Sequence, residues 1–597
     1  MTPSHAYKKE PAVVVEGGAG KALQGWSAVA ARLAASGRVL VVECYPGVHV
    51  EEIVEHVAPA LGEALVVDTR EVLMDEAAID ALVARDVTDD PVFGHLSLLR
   101  LEDFLDAGKL ERARGQVAAA RGPVLVVGPG ASLVTGGDCL VVADLARWEA
   151  QLRFRRGEST NLGARNAGSS ASLQYKRAFF VDWRVADRVK KDVLPRAGFL
   201  LDTNVADDPR LVEGPALRAA LAQAARQPFR VVPFFDPAPW GGQWMRERFA
   251  LPDGPPNYGW CFDCVPEENS LYLLFGDTRV EVPSINVVFF EPRALLGDGV
   301  HARFGTEFPI RTDFLDTMGG GNLSFQVHPT TEYIHDRFGM HYTQDESYYM
   351  LDAGPGASVY LGVKPQCDLD AMVADLREAA SGGEPFDAAK HANQFPARRH
   401  DHFLIPAGTV HCSGANSMVL EISATPYIFT FKLWDWGRLG LDGKPRPTHI
   451  DHGARVIDTT RDTRWVEQNL INAVAPVASG PGWREERTGL HEREFIETRR
   501  FWFTAPTSHD TRGNLNVLNL VQGGPAIIES PDGRFAPTRL DFAETIIIPA
   551  AVGPYVVRPE DSSPGDELAL LKIFVRTGLP GGECAPFPTP ILDGCPS

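Results

Sequence analysis

Four side chains able to bind a metal fall within one stretch of the chain. Gln326 and His328 stand two apart in LSFQVHP, a spacing that puts both on one face of a β-strand. Glu346 follows in QDESYYML, at the head of the next strand-like segment, and His411 follows a Pro-Ala-Gly turn in FLIPAGTVHCSG. Two neutral imidazoles, a carboxylate and an amide oxygen suit a borderline cation such as Zn²⁺, and leave room for a water or a substrate oxygen. A lone His beside Pro is more often a hydrogen-bonded structural residue. Taken together, Q-x-H-P, a Glu opening a strand and P-A-G-T-V-H point to a mononuclear metal site between Gln326 and His411.

Short strands must carry these residues. From FRVVPFFDPAPWGGQW onward, Gly, Pro and aromatic residues rise and the apolar runs shorten: SLYLLFG, INVVFFE, LSFQVH, SYYMLDA, SVYLGV, HFLIPAG, MVLEIS and YIFTFKL all read as strands. Many short strands with Gly/Pro turns mean a sandwich or barrel, interrupted here by one helical stretch, LDAMVADLREAA. Ahead of it, AVVV, RVLVVE, ALVVDT, PVLVVG and CLVVADL alternate with helical patterns such as WSAVAARLAA, the rhythm of an α/β domain with a mostly parallel sheet. After about residue 455, FWFTAP, LNVLNLV, AIIES, TIIIPA, GPYVV and LLKIFV form a further set of strands. The expected organisation is an α/β domain over 1–225, a metal-binding β-domain over 226–455 and a smaller β-domain over 456–597, the last two being cupin-type in the light of the resemblance given below.

With 597 residues, the chain is too long for a single hydrophobic core. A net charge of −20 and a pI of about 5.3 exclude a chain-wide basic footprint for nucleic acid, and any phosphate site needs locally placed Lys or Arg. No apolar run of about 18 residues is present, so no membrane span is expected. Eight scattered cysteines are too few for a disulfide scaffold in a chain this long and fit a reducing cytoplasm. Oligomeric state is not legible.

On these motifs the chain resembles the type I phosphomannose (mannose-6-phosphate) isomerases, particularly their short bacterial branch. The resemblance runs over roughly 228–575, through PFFDPAPWGGQWM, ALLGDGVHARFGTEFPI, NLSFQVHPTTEY and KLWDWGRLGLDGKPRPTHID. It implies zinc held by Gln326, His328, Glu346 and His411, in a cupin barrel followed by a smaller β-barrel-like domain. It also implies interconversion of mannose 6-phosphate and fructose 6-phosphate through an enediol. Such chemistry needs a base at carbon and stabilisation of charge developing on sugar oxygens. By the same resemblance Arg438, in Leu433-Trp434-Asp435-Trp436-Gly437-Arg438, orients substrate or stabilises the enediolate, and Asp435 is the nearest acid for proton transfer. The alternatives are a non-catalytic sugar-phosphate-sensing cupin protein and an isomerase of another sugar phosphate.

Two positions depart from the family pattern. Gln344 and Asp313 stand where relatives commonly carry lysines, leaving Arg311, Arg398, Arg399, Lys444 and Arg446 as compensating cations, or else as solvated surface charges. In the N-terminal part, VVVEGGAGKALQGW looks like a phosphate loop, but Val15 replaces its first glycine and Ala22 its hydroxyl. This suggests a P-loop-kinase-like domain that has lost its chemistry. The basic run Arg153, Arg155, Arg156, Lys176, Arg177, Arg184, Arg188, Lys190 and Lys191 reads first as a solvated helix face and second as a site for a nucleotide, sugar phosphate or acidic partner. Cys261 and Cys264 form a single CxxC, read as packing cysteines.

Overall fold

Apolar runs of four to six residues build the first layer. In the computed structural model, which describes residues 7–424, 427–441, 443–489, 491–492, 494–560 and 567–577, they form a seven-stranded sheet. Its spatial order is Ala22–Gln24, Arg210–Glu213, Phe199–Asp202, Cys139–Asp144, Val39–Cys44, Val124–Gly128 and Leu65–Asp68. The last five in that order pair in parallel, and the first two are antiparallel additions at one edge. Val39–Cys44 and Cys139–Asp144 are buried along their whole length, as strands covered on both faces must be.

The glycine-rich segment does not belong to this sheet's ligand edge. Ala12–Val14 pairs in parallel with Ser270–Phe275, in a separate three-stranded sheet completed by Thr278–Pro283. Gly17–Lys21 therefore bridges two sheets, and the Lys21 ammonium is tied to Glu213 at 3.2 Å. In a doubly wound sheet a ligand crevice forms where the chain order reverses. Here that lies beyond the adjacent ends of Val39–Cys44 and Cys139–Asp144, in the loop from Tyr45 to His49. Its inner part is filled by the chain's own side chains, where Tyr45 donates to Asp187 at 2.9 Å and Lys190 pairs with Asp144 at 2.8 Å. A cavity of about 290 Å³, lined by Tyr45, His49 and Asn161, remains at the loop.

The second layer is entirely antiparallel. One sheet has the order His402–Ile405, Glu346–Ala353, Ser417–Ser423, Arg311–Asp316, Trp260–Cys264 and Phe234–Asp236. The other has Ala392–Pro396, Ser358–Val363, His411–Ser413, Phe325–Val327 and Phe431–Trp434. Glu346 from the first meets His411 from the second, so the sheets face each other across the site. Leu369–Ala380 is helical as its pattern predicts. INVVFFE is not a strand: Ile285–Phe290 forms a helix, because a short continuous apolar run has no period to tell the two apart.

A third layer pairs a six-stranded sheet, Ala475–Gly480 through Leu568–Val575, with a four-stranded sheet containing Thr507–Asp510 and Pro554–Pro559, around its own apolar core. The chain is thus multidomain, α/β first and β-rich after. No described helix is long and apolar enough to cross a membrane.

Candidate metal centre and cavity

Strand pairing brings the donors together. Gln326 lies directly opposite His411 in the antiparallel pair of Phe325–Val327 with His411–Ser413. His328 sits one residue beyond its strand, on the same face as Gln326. Nε2 of His328 lies 3.0 Å from one Glu346 oxygen, and Nε2 of His411 lies 2.9 Å from the other. The Gln326 side-chain amide is 3.0 Å from His411 Nε2. His328, Glu346 and His411 have no exposed surface, and their ligand atoms lie within 4.8 Å of one another, a grouping that could hold a metal ion.

The second nitrogens of the imidazoles fix their direction. His328 Nδ1 bonds the Phe429 carbonyl at 2.8 Å and His411 Nδ1 bonds the Thr409 carbonyl at 2.9 Å, which turns both Nε2 atoms inward as ligation requires. His328 Nε2 and Glu346 Oε1 are buried and make no hydrogen bond outside this cluster among the described residues, as ligands kept for a cation would be. Ser324 donates to Gln326 Oε1 at 2.8 Å. Rotation of the amide about its last torsion would turn that oxygen toward the centre. Electrostatics agree. Burial opposes charge on all three groups, yet the two imidazoles hold the Glu346 carboxyl well below the usual range. At His328 burial is outweighed by Glu346 and the pKa rises, whereas at His411 burial wins and it falls.

Beside this group lies a cavity of about 790 Å³. Gln326, Gln344, Tyr348 and Glu421 line the wall beside the buried His328, Glu346 and His411. Four cations line it as well: Arg155, Arg311, Lys432 and Arg446. Lys432 is half-buried, its strand pairs it with Gln326, and no hydrogen bond to its ammonium is seen among the described residues. Burial, then the charge of Arg446, pushes its pKa down to about 7.

The other sequence candidates are placed differently. Arg438 donates to Asp435 at 2.7 Å and to the Asn322 carbonyl at 2.5 Å, while Arg446 holds the second Asp435 oxygen at 2.8 Å. Neither Arg438 nor Asp435 lines the cavity; Arg446 does. Gln344 donates to Glu346 at 3.1 Å and accepts from the Phe429 amide at 2.8 Å, so at this position the side chain orients a carboxylate. Asp313 is buried against Arg311 at 3.1 Å and opposite Glu421; burial, offset by Arg311, lifts its carboxyl to about 6. Arg399 reaches away to the Val521 carbonyl. Sequence reasoning missed Lys432, whose place in the alternating segment FKLW reads as an outward-facing residue.

The basic run of the N-terminal layer is not a solvated face. Arg153 bonds the Gly47 carbonyl at 2.7 Å, and Lys190 holds Asp144. Arg177 pairs with Asp80 at 3.0 Å, and Arg188 bonds the Ser97 and Leu99 carbonyls at 2.6 and 2.8 Å. Arg155 clamps Asp236 of the β-rich part through two bonds of 2.7 and 2.8 Å, and Arg184 ion-pairs with Glu267. Cys261 and Cys264 are buried free thiols.

Comparison with known proteins gives two kinds of match. Residues 25–226 match a domain of unknown function (DUF8485). The mannose-6-phosphate isomerase of Streptococcus mutans is 26% identical over 220 residues, 36% of this chain and 64% of that protein, so the match spans less than two thirds of that relative. Mannose-6-phosphate isomerase ManA of Bacillus subtilis is 24% identical over 238 residues, 39% of this chain and 68% of the relative. A solved mannose 6-phosphate isomerase from Bacillus subtilis superposes with a TM-score of 0.47 at 17% identity, over 58% of this chain and 99% of that one.

Proposed function

We propose that the protein is a zinc-dependent aldose–ketose isomerase that interconverts mannose 6-phosphate and fructose 6-phosphate. The sequence relatives support a sugar-phosphate isomerase. The single observation that carries the finer reading is the buried convergence of His328, Glu346 and His411, with Gln326 between them and a cavity that also holds Lys432 and Arg446. In this reading Gln326, His328, Glu346 and His411 hold the metal. Their mixed nitrogen and oxygen donors suit zinc. When bound, the ion supplies Lewis-acid stabilisation of charge on the sugar oxygens.

The remaining work falls to this chain's side chains. Lys432 and Arg446 supply the positive charge for the anionic oxygens of substrate, taking the role that the lysines absent at 313 and 344 would have had. An anion arriving beside Lys432 favours its charged form. Asp435, held between Arg438 and Arg446, keeps the Arg446 fork aimed. Gln344 fixes one Glu346 oxygen, so the carboxylate keeps its direction as the cavity fills and empties. Arg438 and Asp435 thus act in positioning rather than on the reacting carbons.

The test is turnover of mannose 6-phosphate by the wild-type protein and by His411→Ala, with metal content measured on both. The proposal expects isomerisation in the wild type and loss of both metal and turnover in the variant. Unchanged metal content in the variant would remove His411 from the ligand set. Metal bound without turnover would favour a sugar-phosphate sensor.

A further inference from the structure

The N-terminal layer is part of the cavity wall. Trp148, Gln151 and Arg155, from the helix Arg147–Arg156, line it together with Tyr175 from the helix Ala171–Arg177. Opposite them stand Gln326, Gln344 and Lys432 of the β-rich part. A space of about 790 Å³ is in the range that encloses a whole small ligand. Without the N-terminal layer its far side would be open water.

That wall is held in place. Trp148 stacks on Phe234 at 4.0 Å with the rings 14° apart, Arg155 clamps Asp236, and Arg147 and Arg184 both ion-pair with the buried Glu267. Next to this interface Glu268, also buried, accepts from Gln151 at 3.0 Å and from Tyr175 at 2.8 Å. Each group keeps hydrogen-bonding capacity at the cavity surface, the second Gln151 N–H included. The Gln151 carbonyl oxygen has no hydrogen bond among the described residues, and the Tyr175 hydroxyl oxygen, donating its only proton, has lone pairs left. An acceptor pair fixed by a shared carboxylate and backed by stacked rings is matched to hydroxyl donors.

The same layer touches the support of the metal donors. Phe93 is fully buried and stacks on Phe429 at 5.1 Å, with the rings 13° apart. The Phe429 carbonyl orients His328 and its amide fixes Gln344. Tyr427 donates to the Val92 carbonyl at 3.1 Å. The segment bearing Phe429 is therefore seated against residues 92 and 93 of the N-terminal layer.

We propose that the N-terminal domain completes the substrate cavity, with Gln151 and Tyr175 as specificity-determining residues that accept hydrogen bonds from sugar hydroxyls remote from the reacting carbons. This rests on the isomerase reading for the identity of the sugar, but not for the contact itself.

The experiment uses the full chain, metal-loaded, as wild type, Gln151→Ala and Tyr175→Phe. Gln151→Ala is expected to raise KM for mannose 6-phosphate about tenfold with kcat within twofold, the change expected for a contact made equally in ground and transition states. The inhibition constant of inorganic phosphate and the bound metal should stay the same, since neither uses this wall; a merely structural disturbance would move them together with KM. Tyr175→Phe, which keeps the ring, should raise KM several-fold. Calorimetric binding of mannose 6-phosphate reads the same contact without turnover, so a catalytically silent protein still gives an answer. Affinity and KM within twofold of wild type in both variants, or no binding by the wild type, would overturn the proposal.

Discussion

Replacing Glu346 with Gln removes one negative charge from the centre while keeping its shape. The carboxylate has no exposed surface and faces both imidazoles, at 3.0 and 2.9 Å. Zinc held by four protein donors is worth roughly 10–16 kcal/mol in apparent affinity, or about 3 kcal/mol per donor. An amide retains one neutral oxygen, so most of one donor's share is lost and Kd rises about 100-fold. The fold should tolerate the change. Both imidazoles can shed their protons, so the variant leaves no uncompensated buried charge of the kind that makes a broken ion pair costly. The metal-free variant is therefore expected to unfold within a few degrees of the metal-free wild type. Competition against a chromophoric chelator measures Kd, and scanning calorimetry measures the unfolding midpoint. A Kd within threefold of wild type would refute the reasoning, because the carboxylate would then not be a ligand. A collapse of the metal-free fold would also refute it, because Glu346 would then be holding structure and not a cation.

Three further outcomes are expected. Lys432→Met should raise KM for mannose 6-phosphate by about 30-fold, the size of one charge-assisted hydrogen bond of roughly 2 kcal/mol, and leave binding of unphosphorylated mannose within twofold; equal effects on both sugars would remove the anion role. Phe93→Ala opens a cavity in a fully buried aromatic cluster and should cost about 3 kcal/mol of stability in denaturant titration. It should also weaken metal binding through Phe429 and His328, which an unchanged metal Kd would contradict. Burial, first among several causes, depresses His400 to about 4 and His402 to about 3, both below the unfolded value. Between those values and about pH 6.5 the unfolded chain binds more protons, so stability falls as pH falls through that window and is level above it. His402→Gln should flatten the slope measured by denaturant titration from pH 7 to 4, and an unaltered slope would show that His402 is not its source.

The convergence of Gln326, His328, Glu346 and His411 was legible because its logic is local. An i, i+2 pair on a strand, a Glu opening a strand and a His after a Pro-Ala-Gly turn each state their own geometry, and antiparallel pairing places Gln326 against His411. Lys432 was not legible, because its strand alternates like one with a wet face. Its outward side opens into a cavity whose wall includes helices encoded more than two hundred residues earlier, which no local pattern reveals. Distance in sequence likewise hid the partners of the basic run: Arg184 meets Glu267 and Arg155 meets Asp236, across the domain junction. Gly17–Lys21 misled for the opposite reason. Its composition imitates a ligand loop, but only strand pairing decides whether it stands at the end of a parallel sheet, and Ala12–Val14 pairs elsewhere.

The most direct test of the central claim is a metal titration of the chelated, full-length protein, read as conversion of mannose 6-phosphate to fructose 6-phosphate. The account predicts no turnover in the metal-free protein, a linear rise with added zinc and a plateau at one equivalent per chain. Full turnover without metal, or none at one bound equivalent, would contradict it.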